Sequence, residues 1–454
     1  MSSTVPPATT TAGRSSGPQL HRVIGPKLLL LFVVGDILGA SIYSLTGKVA
    51  GRVGGALWLP FFIAFVVAFL TAFSYLELVG KYPRAAGAAL YTQRAFGAHL
   101  LTFMVAFAVM CSGITSASSA AEAFSGDYLQ EFVSAPETLI SLAFLTLLAL
   151  INYRGVSESV KLNVLLTAIE LTGLLIIVTI GVTAVFQGNG DPGRLLELNS
   201  DSGVFFGITS ATALAFFSLV GFEDSVNMVE ETHDPTRTFP RAILTGIVIC
   251  ATIYLLVAVT SSLLVPVEVL EGSTAPLLEV VRVGAPWFPL IAFSGIALFS
   301  VINSALINMM MASRLLYGMA NEGLIPRQFG TVHPRRRTPW VAIVFTSLLA
   351  IGLVSALDIE SLGSTTSLLL LIVFAIVNVA VLVLRREKVE HRHFRAPTAI
   401  PVLGAVSCAF FASPLTGRDL SEYGIVAVLL AIGFVFWLIN QFAMRKTGST
   451  VDSK

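Results

Sequence analysis

A carboxylate stands where hydrocarbon would be expected. The stretch from Leu28 to Val49 reads LLLLFVVGDILGASIYSLTGKV, apolar at both ends, with Gly35, Asp36, Gly39, Ala40 and Ser41 at its centre. A charged side chain at mid-bilayer costs roughly 2.5–3.5 kcal/mol on insertion scales, so it faces a cavity or a pathway. Glycines beside it lower the cost of unwinding a helix. Unwound backbone at membrane depth persists only where protein or a water-filled cavity satisfies it. A second stretch, GVFFGITSATALAFFSLVGFEDSVNMVEE from Gly203 to Glu231, repeats the pattern. Its apolar run ends at Ser218-Leu219-Val220-Gly221, and Glu223 and Asp224 follow within the length needed to cross. Two interrupted helices expose backbone groups at mid-depth. Amide ends suit a carboxylate, and carbonyl ends suit an ammonium or a metal cation. A zwitterionic amino acid matches both at once.

The elements that must hold these breaks are membrane helices. The chain has 454 residues, 55% hydrophobic and 12% charged, with a mean hydropathy of +0.83. A soluble domain carries about 25% charged residues, so the composition predicts an all-α polytopic membrane protein. Stretches long enough to span fall at 27–50, 56–80, 99–125, 137–153, 161–186, 203–231, 240–265, 286–313, 338–357, 362–384, 397–414 and 423–443, giving twelve transmembrane helices. An even count puts both termini on one side. Of the 28 Lys and Arg residues, all but Lys48, Arg52, Arg194, Arg282 and Arg418 then fall on that side. The positive-inside rule makes it cytoplasmic. No soluble domain fits between spans, so residues 23–454 read as a single transmembrane domain. Residues 1–22 lack an apolar run and are rich in Ser, Thr, Pro and Gly. They read as a disordered cytoplasmic tail without a signal peptide.

The same inventory narrows the function. A net charge of +1 gives no ground for a nucleic-acid partner. The three cysteines, Cys111, Cys250 and Cys408, lie far apart inside apolar runs and show no metal spacing. The six histidines are scattered through tail and loop regions, with His391 and His393 in an Arg-rich stretch. No catalytic or metal constellation is expected, and no enzyme. The interrupted helices are the first and the sixth. They are five apart, an odd number, so a repeat of five helices inserts upside down the second time. Paired breaks in inverted halves are a pattern of secondary transporters.

Four motifs in order resemble one family. GDILGASIY, from Gly35 to Tyr43, resembles the helix 1 motif Gly-x-x-x-Gly-(Ser/Thr)-Gly-Ile-Phe of the amino acid–polyamine–organocation superfamily of permeases. FFSLVGFEDSVNMVEETHDPTRTFPRAI, from Phe216 to Ile243, is similar to its helix 6 and following loop. TAFSYLELVGKYPRAAGAALYTQRAFG (Thr71 to Gly97) and ANEGLIPRQFGTVHPRRRTPWVAI (Ala320 to Ile343) fit its cytoplasmic segments. The resemblance implies inverted five-helix repeats, helices 1–5 and 6–10, with broken helices 1 and 6 and with helices 11–12 peripheral. It also implies an amino acid or related amine as substrate. Four positions depart from the family: Ala40-Ser41 replaces a hydroxyl residue followed by Gly, Asp36 replaces a neutral residue, and Glu170 replaces a Lys found in many members.

Break and motif together assign expected roles. The amides of Gly39, Ala40, Ser41 and Ile42 receive the substrate carboxylate. Asp36 faces the ammonium or a cationic side chain. Phe217, Ser218, Leu219 and Gly221 form the second half of the site, with Phe217 as a cover over the ligand. Glu170 and Glu223 are the ion-coupling candidates, with H⁺ the first expectation and Na⁺ the second. No other cofactor is expected. Glu122, Asn303 and Asn308 read as polar glue between helices, and the small-residue run from Ser112 to Ala121 as a close-packing face. Glu77, Lys81, Arg84 and Arg94 read as salt-bridge latches in the cytoplasmic loops. The expected function is a secondary transporter in the cell membrane that imports an amino acid. The alternatives are a polyamine or organic-amine carrier, an amino acid exchanger, and a transporter-like membrane sensor.

Overall fold

An apolar chain in lipid must satisfy its backbone internally, which leaves helices as the economical solution. The computed structural model describes residues 24–83, 87–154, 160–199, 203–321 and 324–448, so the expected N-terminal tail and Arg84 lie outside the described residues. Seventeen α-helices follow in order: α1 (Pro26–Ile37), α2 (Ser41–Val53), α3 (Trp58–Lys81), α4 (Gly87–Phe96), α5 (His99–Ser125), α6 (Asp127–Gln130), α7 (Glu137–Arg154), α8 (Val160–Gln187), α9 (Val204–Ala215), α10 (Pro235–Leu264), α11 (Val267–Gly272), α12 (Pro276–Gly284), α13 (Leu290–Asn321), α14 (Trp340–Ala356), α15 (Ile359–Leu384), α16 (Ala399–Ala412) and α17 (Leu420–Gly448). Among the described residues nine helices are long and apolar enough to cross a membrane. Counting α1 and α2 as one span bent by 42° makes ten. Helices α14 and α16 are apolar but have only 17 and 14 residues, about 26 and 21 Å at 1.5 Å per residue.

The two interrupted stretches sit at the centre of the bundle. Helix α1 packs on α8 and α10, and α2 on α9 and α11. Helix α5 lies against α13 and α15 on the other side of the breaks. Two aromatic clusters fix the interrupted segments. Tyr43, Tyr128 and Phe293 meet at the base of α2, with ring centroids 6.3–6.5 Å apart. Tyr75, Phe222 and Phe374 meet under the second break at 5.5–5.8 Å. Each such pair adds about 0.5–1.5 kcal/mol beyond the area it buries. The chain before α1 is tied to the end of the second interrupted stretch by a parallel bridge between Ile24 and Thr232, with the His233 amide donating to the Ile24 carbonyl at 2.9 Å.

A buried ion pair closes one edge. Glu77 of α3 accepts from Arg385 Nε at 2.8 Å and Nη2 at 2.6 Å, and from the Ala396 amide at 2.9 Å. The Lys81 ammonium donates to the carbonyls of Leu384 and Glu387, and Arg94 lies over the Tyr82 ring. This binds the end of α3 to the linker between α15 and α16.

Candidate functional site

The first break is three residues long. The Leu38 amide still reaches the Val34 carbonyl at 2.9 Å, and the Gly39 amide then turns back to Ile37 at 2.8 Å. Helix resumes at Ser41, and the Tyr43 amide bonds Ala40 at 3.1 Å. The leading amides of a helix have no carbonyl one turn behind them, so α2 begins with donors aimed back into the break. The carbonyl side is held by tyrosines. Tyr254 donates to the Ile37 carbonyl at 2.7 Å, Tyr128 to the Tyr43 carbonyl at 2.8 Å, and Tyr43 to the Glu170 carbonyl at 2.9 Å.

The second break is built differently. After α9 the chain narrows to a 3₁₀ turn, Phe216–Leu219, extends through Val220, and re-enters 3₁₀ geometry from Asp224 to Glu231. Gly221 has φ +123°, a conformation open to glycine and costly for any other residue. A Cβ there would stand 2.7 Å from the Asp36 carbonyl oxygen. The two breaks therefore touch, Gly221 against Asp36. Glu223, 8% exposed, folds back so that its carboxylate accepts the Gly221 amide at 2.9 Å.

Beside this contact lies a cavity of ≈ 350 Å³. Of the residues expected from the sequence, Asp36, Gly39, Ala40, Ser41, Phe217, Gly221 and Glu223 line it. Ile42, Ser218 and Leu219 are buried and do not line it. Glu170 is separate too: it is buried in α8 at 1% exposure, where Ser300 of α13 donates to its carboxylate. The remaining wall was not foreseen. Ser112, Gly113, Ser116 and Ser119 of α5, Ser304 and Asn308 of α13, and Thr366 of α15 give it hydroxyl, amide and backbone groups. Asp224 and Arg314 bring further charge, and Tyr75 adds a ring. The α5 residues are the small run read as a packing face. Their size signals close approach and says nothing of whether a helix or a solute approaches. Among the described residues, no group of three or more His, Cys, Asp or Glu is placed to hold a metal ion. Asn303 is buried but off the cavity, and Glu122 accepts from Ser141 at 3.3 Å, away from it.

Comparison with known proteins gives a consistent result. A family model described as amino acid permease matches residues 24–450. The chain is 26% identical over 453 residues to the branched-chain amino acid permease BcaP of Bacillus subtilis, covering 94% of this chain and 95% of that one. It is 25% identical over 456 residues to the methylthioribose transporter of Bacillus subtilis, covering 95% and 96%. With human cationic amino acid transporter 4 the identity is 30% over 399 residues, covering 81% of this chain and 60% of the human one.

Proposed function

Because this chain belongs to the amino acid permease family, we propose that it is a secondary active transporter that carries an amino acid across the cell membrane by alternating access, driven by protons. The observation that carries this reading is the contact of the two breaks at Gly221 and Asp36 beside a single cavity. A cavity of ≈ 350 Å³ accommodates a small zwitterion with water around it. The donors at the start of α2 meet the carboxylate. The carboxylates of Asp36 and Glu223 and the exposed carbonyls meet the ammonium. Glu223 is the coupling residue in this scheme, since a buried carboxyl beside the substrate can exchange its proton when the cavity opens. Glu170, off the cavity, has a secondary role in holding α8 to α13.

The architecture follows the same proposal. The short apolar helices α14 and α16 complete twelve spans, and α1 to α8 and α9 to α15 form the inverted repeats around the breaks. The Arg-rich side is cytoplasmic. Tyr75, Ala88 and Arg314 line the cavity and fall toward the helix ends that this topology puts inside, which supports an inward-facing conformation.

An organic-amine substrate is the second reading. It is favoured by the charge of the lining, where Asp36, Glu223 and Asp224 outnumber Arg314. One experiment addresses both: uptake into proteoliposomes from a panel of labelled amino acids and diamines under an imposed pH gradient, with and without Na⁺. The expected result is accumulation of an amino acid when the outside is acidic, unchanged by Na⁺. Preferential uptake of a diamine would move the assignment to the second reading. Amino acid accumulation that ignores the pH gradient would remove proton coupling.

A further inference from the structure

Above the cavity, at the far end of one helix seam, four charged side chains meet. Arg52, near the end of α2, donates from Nε to Glu360 of α15 at 2.8 Å and from Nη2 to Glu422 of α17 at 3.3 Å. Its Nη1 also reaches the Ser210 carbonyl of α9 at 3.2 Å. Arg418, in the turn before α17, donates to the other oxygen of Glu422 at 2.8 Å. It also bonds the carbonyls of Phe411, Ser364 and Ala213 and the Ser367 hydroxyl, at 2.9–3.3 Å. Two arginines and two glutamates balance, so the cluster adds no net charge to a buried place.

The seam below it leads to the cavity. Leu45 lies seven residues before Arg52, two turns back on the same face of α2. Gly363 lies one turn after Glu360 on α15. A Cβ on Gly363 would stand 2.6 Å from Leu45 Cδ1 and 3.3 Å from the Phe217 ring. One turn further along each helix, Ser41 and Thr366 line the cavity. Helices α2 and α15 thus hold the cavity at one end and the charge cluster at the other. For the cavity to open at the cluster end, this seam must part.

We propose that the cluster is a reversible lock on the outer route to the cavity, in which Arg418 and Glu422 form a fixed receptor and Arg52 and Glu360 are the halves that separate. The proposal rests on the transporter reading above. The asymmetry of the cluster supports it. Side-chain exposure is 0% for Arg418 and 3% for Glu422, against 14% for Arg52 and 29% for Glu360. Arg418 is tied to α9, α15, α16 and α17 through every guanidinium nitrogen, so its departure would strand donors throughout. Removing one partner of a buried pair is costly because it leaves the other charge uncompensated. Here Arg52 can leave while Glu422 keeps Arg418, and water entering the parted seam solvates Arg52 and Glu360. The receptor is what makes the lock cheap to break. It also gives the last helix pair a part in gating that a peripheral position alone would not.

The test is thiol labelling of Leu45→Cys with a membrane-impermeant reagent, in intact cells and in inverted vesicles. The three native cysteines are buried, so the parent chain supplies the baseline. Leu45→Cys alone is expected to label slowly from outside. Adding Arg52→Gln or Glu360→Gln is expected to raise that rate about tenfold, the effect of shifting a two-state balance by one decade. Size-exclusion profiles report folding; if Arg52→Gln is not monodisperse, the milder Glu360→Gln decides. An unchanged rate in Glu360→Gln, or faster labelling only from the inner side, would each overturn the lock. Labelling needs no substrate, so a failed uptake panel with these rates intact would sink the transport reading alone.

Discussion

The two breaks are alike in sequence and opposite in construction. The first interrupts an α-helix for three residues and lets it resume, so the leading amides of α2 stand at the gap. The second never regains α-geometry in the residues that follow, and it answers its own gap: Glu223 reaches back to the Gly221 amide. One break offers donors to a visitor, and the other has satisfied its donor with a carboxylate that a visitor or a proton can perturb. A site assembled this way is chemically polarised even though both segments are rich in Gly, Ser and acids. In the proposed function the first break takes the substrate carboxylate and the second takes positive charge.

The largest effect is expected where the two constructions meet. Gly221→Val places a β-branched side chain at φ +123° and against the Asp36 carbonyl, where even a Cβ would stand at 2.7 Å. The backbone conformation alone costs about 1–3 kcal/mol, and the clash must push the breaks apart. Uptake is expected to vanish together with a lower melting temperature in detergent. Wild-type uptake in this variant would mean that the breaks need not touch.

Much of this was legible in the sequence because lipid makes polarity conspicuous. Gly35, Asp36 and Gly39 stand out in an apolar run, as do Gly221 and Glu223, and seven of the expected residues line one cavity. Other features needed three dimensions. Glu170 looked equivalent to Glu223, since both are acids in spans, but helix rotation turns it towards Ser300 and away from the cavity. Ile42 and Leu219 neighbour lining residues in sequence and are buried off the cavity. The charge cluster was invisible for a different reason. Arg52 and its partners are separated by 308 and 370 positions, and singly each reads as an ordinary residue near a span end. Hydropathy finds helices and their flaws, and it carries no information about which helices become neighbours.

The donors of the first break can be tested without disturbing the second. Ser41 lines the cavity at 6% exposure. Ser41→Leu fills the space in front of the leading amides and leaves the backbone helical. Hydrogen bonds to a charged group contribute about 1.5–3 kcal/mol each, so loss of one is expected to raise the KM for uptake by about tenfold to hundredfold. The melting temperature should stay close to wild type. A variant with normal KM would remove the start of α2 from substrate binding.

The mildest change sharpens the comparison from the other side. Glu223→Gln retains an oxygen that can accept the Gly221 amide at the same place, so the second break keeps its shape. What it loses is the charge and the exchangeable proton. If Glu223 only caps the turn, uptake against a pH gradient and its dependence on external pH should both match wild type. If Glu223 is the coupling residue, accumulation driven by the gradient should fall and the pH profile should flatten. Exchange of labelled for unlabelled substrate at equal concentration needs no net proton movement, so it should persist. The split between these two assays is the informative result, because a damaged fold would depress both. A capped but uncoupled second break beside an intact first one would show that the donors bind and the carboxylate drives.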